Sequence, residues 1–240
     1  MKAFQHKPNL KRTAVLLFGI MMSCATVKAQ DTPCLPSHGE TNNQPAWCGI
    51  EQVIALAEGV NWVSFYVETN LDDLKAALVA ALPSNSQIKI SSQTQSIKYN
   101  RGRWVGQLSA LDLSSMYKIE IPNDCEISLE GMVIDPTDHP VTIDGAASWI
   151  AYPLTEEMTV ANCFAGFAVN NDQVKSQTQL VKYNRGRWAG QLTTLVPGQG
   201  YIYTSGSDQP RTFVFPTSAK TAPKSVNPAI TPTVLRKRTK

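Results

Sequence analysis

Hydrophobic and polar positions follow two different periods along the chain. Stretches such as NWVSFYV (61–67) and SWIAYPL (148–154) are rich in β-branched and aromatic residues, which is typical of β-strands. The segment NLDDLKAALVAALP (70–83) instead places leucine at helical spacing, which predicts a helix capped by Asn70 and stopped by Pro83. A second, shorter helix is expected in TVANCFAGF (159–167). The pattern therefore predicts an α+β fold that is predominantly β.

Two long segments of the chain are nearly identical. SQTQSIKYNRGRWVGQL (92–108) returns as SQTQLVKYNRGRWAGQL (176–192), an offset of 84 residues. The Trp-containing strands upstream correspond at an offset of 87, and tyrosine-rich strands follow both segments. We therefore predict two tandem similar units of antiparallel strands with one short helix each, at 51–137 and 138–216.

The centre of each repeated segment predicts a β-hairpin. Asn100, Arg101, Gly102 and Arg103 supply a turn in which glycine can take a positive φ. Trp104 then begins the return strand. The same arrangement in the second copy predicts hairpins tipped by two arginines in each unit. The candidate ligand-binding residues are the four tip arginines and the flanking aromatic residues: Arg101, Arg103, Arg185, Arg187, Tyr99, Trp104, Tyr183 and Trp188.

The N-terminus has the order of a secretory signal peptide. Basic residues precede the apolar run 13–22, and small residues lead to Ala29, so residues 1–29 are expected to be removed on export. Cys24 follows Met22 and Ser23 in a weak lipoprotein-like pattern, but the Val27-Lys28-Ala29 ending favours cleavage over lipid attachment. We expect the protein in the periplasm, on the cell surface or outside the cell, with no transmembrane segment.

The charge of the chain is unevenly distributed. The formal net charge is +3, yet 30–216 contains 11 basic and all 19 acidic residues, while 217–240 is basic and rich in Pro, Thr, Ala and Ser. An acidic body argues against nucleic acid as a partner. The 217–240 tail is expected to be disordered and could contact an anionic surface.

Four cysteines remain after the signal peptide. In an oxidising compartment an even number favours disulfides, and four cysteines allow three pairings. We expect Cys34 with Cys48, closing the segment 30–50, and Cys125 with Cys163, although buried free thiols are the alternative.

Catalytic signatures do not emerge from the sequence. His38 and His139 stand apart from any Ser, Cys or acid constellation, and no GxSxG, HExxH, phosphate-loop or dinucleotide motif occurs. We therefore expect no catalytic residue, no metal and no cofactor, and a protein that is not an enzyme.

The motifs together resemble a known kind of repeat. NWVSFY, the two YNRGRW segments and LVPGQGY resemble a tandem repeat of large exported and cell-surface proteins of Bacteroidetes, with Trp near the start, a Trp-Gly hairpin in the middle and a Pro-Gly-x-Gly-Tyr turn near the end. The first copy departs from that pattern, having LDLSSMY (111–117) where the second has LVPGQGY (195–201). The resemblance implies export and a non-catalytic accessory role, and it implies no ligand.

Two interpretations of the function stand side by side. In the first, the protein is an exported binding or adhesion module whose Arg-tipped hairpins recognise an acidic glycan or a protein surface of the cell envelope. In the second, it is a structural spacer or an assembly subunit that docks through its basic tail. For the Trp residues, core packing and a ligand face are both open, and the oligomeric state is unknown.

Overall fold

The structure is a computed structural model that describes residues 49–144 and 147–216. The expected signal peptide, Cys24, the proposed Cys34–Cys48 bridge and the basic tail lie outside the described residues. Within the described ranges, neither helix is long and apolar enough to cross a bilayer.

The two helices lie where the sequence places them. The first, α1, spans Leu71–Ala81, and the Asn70 side chain caps it by accepting hydrogen bonds from the backbone N–H groups of Asp72 and Asp73. The buried face of α1 consists of Leu71, Leu74 and Leu78. The second helix, α2, is a single turn over Val160–Cys163 capped by Thr159. The predicted long and short helices are therefore confirmed.

Two five-stranded antiparallel sheets contain most of the strands. The N-terminal sheet has the order β2-β6-β3-β4-β5, and the C-terminal sheet has the order β9-β15-β11-β12-β13. In each sheet, the strand with the first Trp of the unit, β2 or β9, is at one edge. The return strand of the Arg-tipped hairpin, β5 or β13, is at the other edge. The N-terminal strands are β2 (Gly59–Val63), β3 (Ile88–Ser91), β4 (Ser96–Asn100), β5 (Arg103–Gly106) and β6 (Tyr117–Ile121). The C-terminal strands are β9 (Ala147–Ile150), β11 (Gln173–Lys175), β12 (Leu180–Asn184), β13 (Arg187–Gly190) and β15 (Tyr201–Thr204).

Three two-stranded pairs contain the remaining strands of the described residues. They are β1 (Ile50–Leu56) with β7 (Cys125–Gly131), β8 (Val141–Ile143) with β16 (Arg211–Phe213), and β10 (Met158–Thr159) with β14 (Thr194–Leu195). All pairs described are antiparallel, which confirms a mostly β fold. The strand β8 lies close to the boundary between the two predicted units, and its residues Val141 and Ile143 are buried opposite the closing strand β16.

The Trp-containing strand β2 is shorter than its sequence pattern suggests. It ends at Val63, and the buried side chain of Gln52 then bonds the backbone of the next residues. Gln52 Nε2 donates to the Ser64 carbonyl (3.0 Å), and Tyr66 N–H donates to Gln52 Oε1 (2.9 Å). The amide thus satisfies backbone groups that a neighbouring strand would otherwise pair.

The buried apolar residues form two separate clusters. One contains residues between Ile54 and Ile134, and the other contains residues between Val141 and Phe215. Each cluster includes tyrosines from its own sheet, such as Tyr117 and Tyr201.

The expected Cys125–Cys163 disulfide is not formed. Both cysteines are free thiols, with Cys125 packed against the first cluster and Cys163 buried in the second. The pairing was inferred from an even count, which contains no information about which core each cysteine enters. Burial raises the pKa of the Cys163 thiol, which therefore stays protonated.

Candidate binding surface

The first Arg-tipped hairpin is a two-residue loop. Asn100 pairs with Arg103, and the two residues between them, Arg101 (φ 49°) and Gly102 (φ 81°), both have positive φ. Positive φ at both central positions is the signature of a type I′ turn, whose twist matches that of the flanking strands. The predicted hairpin is confirmed here.

The second hairpin has almost the same turn dihedral angles as the first. Asn184 pairs with Arg187, and Arg185 (φ 50°) and Gly186 (φ 82°) occupy the turn. The first central position of such a turn prefers Asn, Asp or Gly, because a longer side chain is disfavoured in the left-handed region. Both turns nevertheless have arginine there. The need to form the turn therefore does not explain why arginine occupies this position in both hairpins.

The four tip arginines point into solvent. Arg101, Arg103, Arg185 and Arg187 are exposed. Within the described part of the chain, their guanidinium groups form no hydrogen bond or ion pair; the one arginine paired with a carboxylate is Arg211, which binds Asp172. The tips thus present four uncompensated positive charges.

The flanking aromatic residues pair across each hairpin. Tyr99 faces Trp104, and Tyr183 faces Trp188, with ring centroids 5.1 Å apart in both pairs. All four are half-buried. Trp104 packs against the first cluster, and Trp188 packs against Phe164, the residue that follows α2, with the two ring centroids 5.9 Å apart. Each Trp therefore contributes to a core and keeps part of its ring accessible, and a ligand contact through the accessible part stays a prediction.

Arginine stacking on these rings is not observed. Where a described cation lies over an aromatic ring, it belongs to Lys118, Lys175 or Arg211 and not to a hairpin tip. The guanidinium groups at the tips are therefore free of the rings that flank them.

A shallow depression adjoins the first hairpin. It has a volume of about 180 Å³ and lies between the turn after α1 and the hairpin. Tyr99 and Gly102 line one side, and Pro83, Ser84 and Asn85 line the other. The hairpin tip is thus next to a recess of mixed polarity.

The glycine of the Gly-Gln-Leu after each Trp allows the two strands of the hairpin to approach closely. A Cβ on Gly106 would collide with the Ser96 carbonyl, and a Cβ on Gly190 would collide with that of Leu180. The next leucines, Leu108 and Leu192, are buried. The repeated W-x-G-Q-L spacing therefore has a local packing reason.

The repeated Ser-Gln-Thr-Gln forms the turn at the other end of each hairpin. Ser92 Oγ accepts from Gln95 N–H (3.0 Å), and Ser176 Oγ accepts from Gln179 N–H (3.0 Å). These turns lie at the opposite end of β4 and β12 from the arginines. The arginine tips consequently point away from the contacts made by the Ser-Gln-Thr-Gln turns.

The first glutamine of each turn binds the edge strand of the other sheet. Gln177 Nε2 donates to the Val60 carbonyl (2.7 Å), and Trp62 N–H donates to Gln177 Oε1 (3.0 Å). Gln93 makes the same two bonds to Ala147 O (2.9 Å) and Trp149 N–H (2.9 Å). These reciprocal contacts, which sequence reasoning missed, are termed the glutamine clamps. They cover the backbone of β2 and β9, which would otherwise be unpaired edges.

Further contacts between the sheets follow the same reciprocal pattern. Ser64 N–H donates to the Gly198 carbonyl (3.0 Å), and Ala151 N–H donates to the Ser114 carbonyl (2.9 Å). Gly200 packs directly on Met116, so that a Cβ at position 200 would collide with the Met side chain. Ser114 and Gly198, and likewise Met116 and Gly200, are equivalent positions in the sequence alignment.

Replacing Gln177 with alanine is expected to lower the free energy of unfolding by about 1–2 kcal/mol, because two inter-sheet hydrogen bonds are lost at a partly exposed site. Urea denaturation measures the effect. Gln179→Ala is the matched control: it lies in the same turn, and its side chain makes no hydrogen bond in the described structure. Equal destabilisation by the two changes would contradict the role of the glutamine clamps.

In comparisons with known proteins, no family model, no curated protein and no solved structure matches this chain. The resemblance to the Bacteroidetes repeat therefore stays a prediction. The candidate surface rests on the geometry of the two hairpins.

Proposed function

We propose that this protein is a non-enzymatic binding or adhesion module that recognises an anionic surface, an acidic glycan or a carboxylate-rich protein, through its two Arg-tipped hairpins. The observation that carries the proposal is the presence of four exposed guanidinium groups on two equally built turns, none paired with a carboxylate of the described chain. A guanidinium group binds carboxylate or sulfate with two parallel hydrogen bonds, which gives geometric specificity as well as affinity.

The backbone at the tips supports a role in recognition. Arg101 and Arg185 both adopt a left-handed conformation that Asn or Gly would adopt with less strain. Strained residues of this kind are concentrated at functional sites. Since a type I′ turn would form more readily with Asn, ligand binding is the explanation we favour for arginine in both turns.

We also propose that the chain consists of two copies of one unit, 51–137 and 138–216. The equal strand orders, the separate clusters and the equal turn dihedrals support this division. The reciprocal glutamine clamps give further support, because equivalent residues exchanging equivalent contacts are the mark of a two-fold interface. Two copies provide two tips, so one chain could engage a repetitive ligand at two points.

The proposed setting is the cell envelope or the medium outside it. This proposal rests on the secretory pattern of residues 1–29 and on the resemblance to exported repeats. A repetitive acidic polysaccharide of the envelope would present anionic groups to both hairpins.

A pair of matched variants tests this function. Arg101→Ala/Arg185→Ala is expected to weaken retention on an immobilised polyuronate about tenfold or more, because two charge-assisted contacts are lost. Lys98→Ala/Lys182→Ala removes the same charge from equivalent positions on the same hairpins and is expected to have a much smaller effect. Circular dichroism checks that both variants fold.

Two results would contradict the proposal. One is equal weakening by the arginine and lysine variants, which would indicate a nonspecific charge effect. The other is retention that survives in the arginine variant but is lost on deletion of 217–240, which would favour the assembly subunit that docks through its tail.

A further inference from the structure

A second cluster of cations and aromatic rings lies where the glutamine clamps bring the two sheets together. Trp62 on β2 and Trp149 on β9 are both half-buried. Trp62 is opposite Lys118 across the N-terminal sheet, whereas Trp149 is opposite Ile202, which is in turn opposite Lys175. The side chains of Trp62, Trp149, Lys118 and Lys175 therefore lie close together where the two sheets meet.

Each of the two lysines lies close to the Trp of the opposite sheet. Lys118 Nζ lies 4.9 Å from the ring centroid of Trp62 and 4.3 Å from that of Trp149. Lys175 Nζ lies 5.8 Å from the ring of Trp62. Two ammonium groups therefore converge on two indole rings; we call these four residues the Lys-Trp cluster.

No counter-charge accompanies these ammonium groups. Neither Lys118 nor Lys175 forms an ion pair or a hydrogen bond within the described part of the chain. Burial lowers the pKa of Lys118, and the charge of Lys175 lowers it further. Two like charges held together in an acidic body, without a carboxylate to balance them, cost free energy that a bound anion would recover.

The duplicated sequence does not demand this pair of lysines. The position equivalent to Lys118 is Ile202, and the position equivalent to Lys175 is Ser91. Each lysine thus has a neutral counterpart in the other copy. The charge pair is therefore not a consequence of the fold that the two copies share.

The surroundings indicate what kind of anion would fit. Indole rings and Ile202 offer apolar surface beside the two ammonium groups, and the rings reduce the access of water to the ammonium group of Lys118. A uronic acid has the complementary chemistry, because it combines a carboxylate with the apolar C–H face of a sugar ring. A small inorganic anion would use the ammonium groups but leave the apolar surface uncovered.

We propose that the Lys-Trp cluster is a binding site for an acidic sugar residue, with the carboxylate between Lys118 and Lys175 and the sugar ring against the indoles and Ile202. This site is distinct from the hairpin tips and goes beyond the function proposed for them.

The test uses a full-length chain in which the four tip arginines are replaced by alanine, so that binding at the tips does not contribute. An oligogalacturonate is titrated against this chain by calorimetry, with tryptophan fluorescence as a second readout. We expect binding with a change in fluorescence, weakened about tenfold or more by Lys118→Met or Lys175→Met. Lys89→Met is the matched control, since Lys89 is on the same face but is opposite Glu120 and Lys98.

The outcomes separate this site from the tips. Lys175 is exposed, so its methionine variant is expected to fold normally. Much weaker binding of the methyl-esterified oligomer would support the carboxylate contact. The site is refuted if the chain without tip arginines does not bind the oligomer, or if both methionine variants bind it as tightly as the Lys89→Met control. Neither result bears on the tips, whose role is decided by the arginine variants alone.

Discussion

Replacing Asp172 with alanine is expected to lower the free energy of unfolding by about 3–5 kcal/mol, the largest effect we foresee for a single polar residue. Asp172 is fully buried and accepts hydrogen bonds from Tyr203 Oη, Gly206 N–H (2.7 Å) and Val169 N–H (2.8 Å). It also pairs with Arg211 on the closing strand at 3.0 Å. Removal of the carboxylate would leave a partly buried guanidinium whose Nε already has no partner.

Thermal or urea unfolding measures this loss, with Asp208→Ala as the control. Asp208 is exposed, and its side chain makes no hydrogen bond in the described structure, so its replacement should change stability by no more than about 0.5 kcal/mol. A loss of similar size in both variants would contradict the role of Asp172.

The same carboxylate predicts how stability depends on pH. Burial raises the pKa of Asp172, but the hydrogen bonds from Gly206, Tyr203, Val169 and Arg211 outweigh it, so that the pKa lies below its ordinary value. A lowered pKa in the folded state gives stability that is fully present above the unfolded pKa of about 3.9 and is lost as the pH falls through the folded pKa. Acid unfolding of Asp172→Asn should therefore lack this component.

Replacing Gly190 with alanine is expected to destabilise the protein by about 2–4 kcal/mol. Gly190 has a φ of 152°, and a Cβ there would collide with the backbone of the neighbouring strand β12. Because the obstacle is backbone and not a flexible side chain, the two strands of the hairpin, β12 and β13, would have to separate. Chemical denaturation of the purified variant measures the effect.

Gly186→Ala in the same hairpin is the control for this prediction. Its φ is also positive, at 82°, but no atom lies within 4 Å of its Cβ position, so only the conformational cost of about 1–2 kcal/mol applies. If Gly186→Ala lowers the free energy of unfolding more than Gly190→Ala does, the close approach of the strands is not the reason for glycine at position 190.

Much of the local structure could be predicted because its causes are local. Asn70 ahead of a helical leucine pattern predicts a capped helix, and Asn-Arg-Gly-Arg between two strand patterns predicts a hairpin. The exposure of the tip arginines follows from the same turn. These features depend on residues only a few positions apart.

The rest could not be predicted because it depends on contacts between distant residues. The side chain of Gln177 binds a strand more than 100 positions away in the sequence. Gln179 is repeated in the sequence just as Gln177 is, but its side chain makes no such bond in the described structure. The Cys125–Cys163 pairing was wrong because the two residues enter different cores. The Lys-Trp cluster combines two lysines whose equivalents in the other copy are the neutral residues Ile202 and Ser91, so the sequence repeat could not reveal it.

The central claim is that the tip arginines contact an anionic ligand, and nuclear magnetic resonance of the arginine side chains tests it most directly. On titration with an oligogalacturonate, the Nε–H signals of Arg101, Arg103, Arg185 and Arg187 should shift together and saturate. The signal of Arg211, which is held by Asp172, should stay in place. If the ligand binds, as shown by calorimetry on the same sample, while the four tip signals remain unchanged, the hairpins are not the recognition surface.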